Sequence, residues 1–293
     1  MFHKASSLIL AALLTSNALA HHGGSSNSQG PGTPIETNTP LTLPQGGTVV
    51  FTRVEIANFK KFAGFQPENV DNFKFFQLGV SHGLTDYLTA TAILPYNMKT
   101  QDSLGTIQGV GDPKFLLTLG MNYSDGEGFQ LNGEDDTAVN LGNSDKTYFG
   151  IIGGFTMPVG RNQIDRGAGV DGGQQPGFGV PTATLGLAVT KGLSERLTVA
   201  AETTVELYAT GRGGDRFGSE FRANLAGIYE LHADKEAWLS RVDGILELNY
   251  LRLSRDQTAR VHELGTGGGI LYLTPGVRMQ MGDVNVGDRK SVV

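Results

Sequence analysis

Leu185–Tyr208 reads LGLAVTKGLSERLTVAAETTVELY. Past the turn at Gly192–Glu195, Leu197, Val199, Ala201, Val205 and Leu207 fall on one face, and Thr198, Glu202, Thr204, Glu206 and Tyr208 fall on the other. Successive side chains of an extended chain point to opposite sides, so this is a strand with one oily and one polar face. A tight turn and a second strand precede it. The same hairpin is spelled earlier, where VSHGLTDYLTATA (Val80–Ala92) aligns without a gap with VTKGLSERLTVAA (Val189–Ala201). Repetition of an antiparallel hairpin predicts an all-β chain.

The period of two extends both ways. It predicts strands at Thr48–Phe59, Asn72–His82, Tyr87–Asn97, Lys114–Tyr123, Thr147–Val159, Phe178–Lys191, Arg196–Ala209, Phe217–His232, Leu239–Ser254 and Gly269–Met281. Most exceed the five or six residues usual in a soluble sheet and match the roughly 9–11 that a tilted strand needs to cross a bilayer. The faces agree. In Leu239–Ser254, Val242, Leu246, Leu248 and Tyr250 oppose Arg241, Asp243, Glu247 and Asn249. In Phe217–His232, Phe221, Leu225 and Tyr229 oppose Glu220, Arg222 and Asn224. Acids and bases are mixed on the polar face, as in a wet interior held by ion pairs. The residues expected to line that interior are Glu202, Glu206, Glu220, Arg222, Arg241, Asp243, Glu247 and Asn249. A soluble sandwich shows the same alternation with its polar face in water. Strand length favours a barrel. So does the collection of aromatics near strand ends, at Tyr87, Tyr96, Tyr123, Tyr148, Tyr208, Phe217, Tyr229, Trp238 and Tyr250, which suits membrane girdles.

The N-terminus reads as an export signal over residues 1–20: Lys4, then the apolar run Leu8–Leu14, then Ala18-Leu19-Ala20. Residues 21–47 are rich in Gly, Pro, Ser and Thr and are expected to be extended or disordered in the periplasm, with the barrel spanning 48–293. Strand parity puts the turns Gly83–Asp86 and Gly192–Glu195 and the short link Ala233–Trp238 in the periplasm. The longer links Lys60–Asp71, Met98–Pro113, Gly160–Gly177 and Arg255–Gly268 fall outside, the outer-membrane pattern. The long acidic link Ser124–Lys146 breaks that rule. After Met281 the alternation starts an eleventh strand and fades, which predicts a barrel incomplete at its C-terminus.

The chain has 293 residues, 42 of them glycine, no cysteine and a formal charge of −6. Its basic residues are not clustered, which argues against nucleic acid. The absence of cysteine removes disulfides and thiolate metal sites. His21-His22 at the mature start could hold copper or nickel, but a polar flexible start explains them as well. His82 and His232 fall at strand ends on the same side, and no metal-binding spacing is spelled. His262, Glu263, Ser254 and Asp256 share a loop region and are the residues a surface hydrolase could use, although no GxSxG occurs. Gly109–Pro113 and Gly153–Gly160 read as bulges and corners that let a sheet curve, with a lateral opening as the functional alternative.

A set of short motifs carries a family resemblance. HHGG (His21–Gly24), GPGTPIETNTPLTLPQGG (Gly30–Gly47), LPYN (Leu94–Asn97), GVGDPKF (Gly109–Phe115), GGFTMPVG (Gly153–Gly160), ELNYLRLSRD (Glu247–Asp256) and GGGILYLTPGVRM (Gly267–Met279) resemble the outer-membrane proteins of the MetA-pathway of phenol degradation family, often labelled transporters. The resemblance implies a barrel of about twelve antiparallel strands, of which about ten are present here. It implies passage of small hydrophobic or aromatic compounds; no cofactor is expected. The expected partners are outer-membrane lipid, such solutes and the barrel-assembly machinery. A structural barrel without transport and a surface hydrolase are the competing functions. His21–Gly47 or the loop Gly160–Gly177 is expected to enter the lumen as a plug, because both are long and rich in glycine.

Overall fold

The computed structural model describes residues 32–58, 70–101, 105–136, 145–163, 172–264 and 266–291. The export signal, His21 and His22 lie outside them. The strands are β1 (Thr48–Asn58), β2 (Val70–Thr85), β3 (Leu88–Gln101), β4 (Gly105–Val110), β5 (Lys114–Ser124), β6 (Gly128–Leu131), β7 (Thr147–Thr156), β8 (Thr182–Gly192), β9 (Leu197–Tyr208), β10 (Glu220–Ala233), β11 (Leu239–Leu253), β12 (Gln257–Thr258), β13 (Val261–His262), β14 (Gly268–Met281) and β15 (Val284–Arg289). No helix among the described residues is long and apolar enough to cross a membrane, which says nothing of strands that do so.

One sheet runs in the order β1-β2-β3-β5-β7-β8-β9-β10-β11-β14-β15, and its pairings are antiparallel. Chain neighbours are mostly sheet neighbours because each turn, such as Gly192–Glu195 between β8 and β9, is too short to do anything but reverse the chain. The end carrying the short reversals is here the turn end, and the opposite end is the loop end.

Expected links hold extra structure, among them Arg255–Gly268, where β12 pairs with β13. Met98–Pro113 contains β4, which pairs with the loop end of β3, while β5 pairs with its other half. β4 and β5 thus follow one path along β3, broken at Gly111–Pro113 because Pro113 has no N–H to give the ladder. Ser124–Lys146 contains β6, a short hairpin on β5. Past Met281 the chain turns and β15 pairs with β14 over Gly276–Met281.

The sheet is rolled. Lys114 on β5 donates to Glu206 on β9 at 2.8 Å, although β7 and β8 lie between them in the ladder. A flat sheet would hold those strands about 14 Å apart. Arg289 on β15 reaches Glu55 on β1 at 3.4 Å, joining the two ends of the series through their side chains.

Rolling separates two chemically opposite faces. Leu225 is 54% exposed and Leu246 51%, whereas Asp243 is 1% exposed, Glu220 2% and Glu247 0%. This inverts a soluble protein, in which carboxylates are seldom fully buried and large oily patches are small. The outer faces of β1, β3, β5, β7, β9, β10 and β14 carry no Asp, Glu, Lys or Arg. Outward Lys74, Lys191 and Arg252 lie toward strand ends, where a long stem lets the charge leave an oily layer. Such a wall is stable where its surroundings are hydrocarbon and its inside is polar.

Candidate functional site

The inside of the roll is occupied by the chain's own residues 32–47, here called the strap. Of the extended or disordered segment expected over 21–47, the described part is extended and held against the wall. It leaves β1 at the turn end, crosses the floor of the roll, rises to mid-height and descends again. Gly46 donates to the Gly83 carbonyl at 2.8 Å, and the Gly83 N–H returns a bond to Gly47 at 2.9 Å. Next, the Leu43 N–H meets Thr89 Oγ1 at 2.8 Å. Pro40 lies flat on β5 and β7: a Cβ added at Gly150 would stand 2.7 Å from Pro40 Cα, and one at Gly120 would stand 2.8 Å from the Pro40 carbonyl oxygen. Glycine at those positions is what admits the strap.

Beyond Pro40 the strap meets β9, β11 and β14. Glu247 Oε1 accepts the Ile35, Glu36 and Thr37 N–H groups at 3.2, 3.1 and 3.1 Å. Three consecutive donors converge on one carboxylate, the arrangement that backbone nests use to bind anions. The Gly32 N–H is held by Asp243 Oδ2 at 2.8 Å. Arg278 donates to the Pro34 carbonyl, and the Tyr272 hydroxyl donates to Glu36 Oε2 at 2.8 Å. Glu36 also pairs with Arg53 at 3.6 Å and with Arg289. Backbone groups that enter a low-dielectric interior must find partners, and those of the strap find them on the wall.

A second insert comes from the loop end. Gly172–Gln174 forms a single helical turn, and Gln174 and Gln175 are buried. Lys99 Nζ on β3 donates to the Gly173 and Gln175 carbonyls at 2.6 and 2.9 Å, and Asn97 Nδ2 donates to that of Pro176 at 2.7 Å. Asp112, in the break between β4 and β5, accepts the Gly160 and Phe178 N–H groups at 2.7 and 2.6 Å. Both segments named as alternative plugs therefore have described residues inside the roll, one from each end.

All eight expected lining residues lie on the inner face. Glu202 accepts from Asn224 at 2.6 Å, and Arg222 pairs with Glu220 at 2.9 Å. Arg241 pairs with Asp243 at 2.8 Å and with Glu230 at 3.4 Å, and Asn249 donates to Thr274 at 3.0 Å. Glu206 takes Lys114 and the Thr182 hydroxyl, the latter at 2.7 Å. Arg53, Glu55, Lys99, Lys114 and Asp112 belong to the same interior, beyond the eight expected. Arg53 and Glu55 alternate with Val54 and Ile56, so the period of two already marked them.

The girdle expectation is corrected at two positions. Tyr148 and Tyr208 are buried and face inward rather than joining an outer girdle; their hydroxyls bond Asp136 at 3.2 Å and Glu220 at 3.1 Å. Tyr208, Phe178 and Phe217 form an edge-to-face cluster with centroids 5.2–5.7 Å apart at the loop end. Tyr96, Tyr123, Tyr229 and Trp238 are exposed. The hydrolase candidates have other partners: Ser254 Oγ bonds Ser219 Oγ at 3.0 Å, His262 Nε2 meets Gln257 at 3.2 Å, and Asp256 holds the Gly218 N–H at 2.6 Å. His82 bonds Thr48 at 2.8 Å, and His232 lies on β10. Among the described residues no group of three or more His, Cys, Asp or Glu could hold a metal ion.

No protein-family model matches the sequence, and no curated protein matches it. The fold is similar to the crystal structure of an outer-membrane channel from Pseudomonas putida F1. The two share 16% identity with a TM-score of 0.61, over 91% of this chain and 93% of that one. At that identity the likeness is one of fold: an antiparallel sheet rolled in the manner of an outer-membrane barrel.

Proposed function

We propose that the protein is an outer-membrane channel whose lumen is stoppered by its own strap and mouth loop, and that it passes small hydrophobic or aromatic compounds. The observation that carries this reading is the inverted wall, oily outside and ionic inside, wrapped around a segment that the wall binds through reversible hydrogen bonds, ion pairs and small apolar contacts. A lumen filled by covalently continuous but non-strand backbone can be emptied without breaking the ladder. The eight expected lining residues then serve as the polar wall of the passage. Inward aromatics supply surface for an apolar solute: Phe73 and Phe75 on β2 meet edge to face at 5.9 Å, and the Phe178–Tyr208–Phe217 cluster stands at the mouth. The motif resemblance to the phenol-degradation family supports the same class of solute.

On this reading residues 1–20 are cleaved on export, the turn end faces the periplasm, and the partners are membrane lipid and the barrel-assembly machinery. Proteoliposome entry of a small phenol compared with a sugar of equal mass tests it, with faster phenol entry expected. Equal entry at the protein-free rate for both would favour a structural barrel whose ion pairs only brace the wall.

A further inference from the structure

The long link after β5 has no place in a barrel with short periplasmic turns. Its described part does not hang free. After β6 the chain folds back beneath the roll, the Asn132 N–H donates to the Gly120 carbonyl at 3.1 Å, and Asn132 and Asp136 are buried. We propose that Gly128–Asp136 is a periplasmic bolt on the strap, positioned by Asp136. The side it faces and the consequence for passage rest on the channel reading; its hold on the strap does not.

The geometry is a socket for Pro40-Leu41-Thr42. Gly120 and Gly150 make its flat floor under Pro40. One jaw is Asn132, whose Nδ2 donates to Thr42 Oγ1 at 3.3 Å. The other is Tyr148, whose ring packs against Leu41 in a small buried cluster. Neither jaw is fixed by its own strand alone, and Asp136 ties them together. Its Oδ2 accepts Asn122 Nδ2 and the Gly133 N–H, both at 3.0 Å. Its Oδ1 accepts Lys146 Nζ at 2.8 Å and the Tyr148 hydroxyl at 3.2 Å. One carboxylate therefore sets the turn after Asn132, the β5 wall and the β7 ring that presses on Leu41. Charge-assisted bonds of this kind are stronger than neutral ones, which suits a part that must stay closed. The remaining acid facing the pair is Glu127, at the β5–β6 turn, which acts on Lys146.

The chain contains no cysteine, so a single introduced thiol reports on the strap without background. In Thr42→Cys, reaction with a maleimide added from the periplasmic side should be slow. Adding Asp136→Asn should speed it about tenfold, the factor that ~1.4 kcal/mol of lost holding free energy gives. Heat-modifiable migration of the barrel should be unchanged. Adding Asn97→Ala, which loosens only the mouth loop, should not change the rate. An unchanged rate with Asp136→Asn, or an equal increase with Asn97→Ala, would overturn the bolt. If the Asp136 variant fails to assemble, Tyr148→Phe in the same background keeps the ring on Leu41, frees that jaw from the carboxylate and leaves the carboxylate's bonds to Asn122, Gly133 and Lys146. Faster labelling is again expected, and an unchanged rate overturns the proposal. Labelling that accelerates while conductance stays closed would leave the bolt standing and overturn the channel reading.

Discussion

The strap and the mouth loop fill the same roll from opposite ends, yet the wall grips them by opposite chemistry. The strap offers backbone N–H groups to wall carboxylates, above all Glu247 and Asp243. The mouth loop offers mostly carbonyls to wall donors, Lys99 and Asn97, and only near its ends gives N–H groups to Asp112. The strap is also seated on bare glycine backbone and clasped from below, whereas the loop enters between two strands and leaves the same way. The difference teaches that the polar inner face is not a uniform ionic lining. Glu247 and Asp243 face N–H groups of the strap and Lys99 faces carbonyls of the mouth loop, with no side chain shared between the two sets, so the two inserts should loosen independently.

The largest expected effect is on the strap. Glu247→Ala removes the shared acceptor of three successive N–H groups, and the strap should lose on the order of 3 kcal/mol of holding free energy. Hydrogen exchange at Ile35–Thr37 should speed while Gly172–Phe178 stays as protected as before. Loss of protection in both inserts together would break the comparison. Next comes Gly150→Val, whose side chain must displace Pro40 and should cost about 2 kcal/mol by overpacking. Gly153→Val on the same strand points outward, where an added Cβ meets nothing within 4 Å, and should leave urea midpoints unchanged. Equal shifts for both would mean that the strap does not rest on β7. For the loop, Asn97→Ala removes one bond to Pro176 and should cost about 1 kcal/mol, read as faster proteolysis near Gly172 without any change at the strap.

Acid should have the smallest effect. Burial pushes the Asp136 carboxyl up, but the Gly133 N–H, Lys146 and Tyr148 outweigh it and hold it below the ordinary carboxylate range. A carboxyl held down by folding stabilises the folded state above its unfolded pKa and loses that contribution as pH falls through the lower folded value. The Asp136 hydrogen bond raises Lys146, so its contribution is complete below its unfolded pKa and is lost as pH rises through the higher folded one. The clasp under the strap should therefore hold steady from about pH 10 down to about pH 4 and loosen only outside that window. Thiol labelling at Thr42→Cys across pH checks it, and loosening near pH 6 would point to a histidine instead.

The wall was legible because alternation is a local property. Each Leu, Glu pair along β9, β10 and β11 declares its side without knowledge of the rest, and the lining residues followed from that. What escaped depends on distant partners. Tyr148 and Tyr208 look like girdle residues by their place near strand ends, yet a carboxylate waits for each hydroxyl on the inner side, Asp136 from a loop and Glu220 from β10. Strand β4 was hidden because Gly111-Asp112-Pro113 punctuates a path that continues along β3. The strap's path was not legible because its Thr, Pro and Asn residues build no ladder; their order comes from acceptors more than 200 positions away in the chain, such as Glu247 for Thr37. The link after β5 was opaque for the same reason, its buried Asn132 and Asp136 being satisfied by β5, β7 and the strap.

The central claim is that residues 32–47 fill a lumen which the wall would otherwise leave open. Single-channel conductance of a form lacking the mouth-loop residues 172–176 against a form lacking both these and residues 32–46, in the same planar bilayer, tests it most directly. The account predicts a nearly closed first form and a large, steady increase in current once the strap is gone as well, with the barrel still heat-modifiable. Identical small currents from the two forms would contradict it.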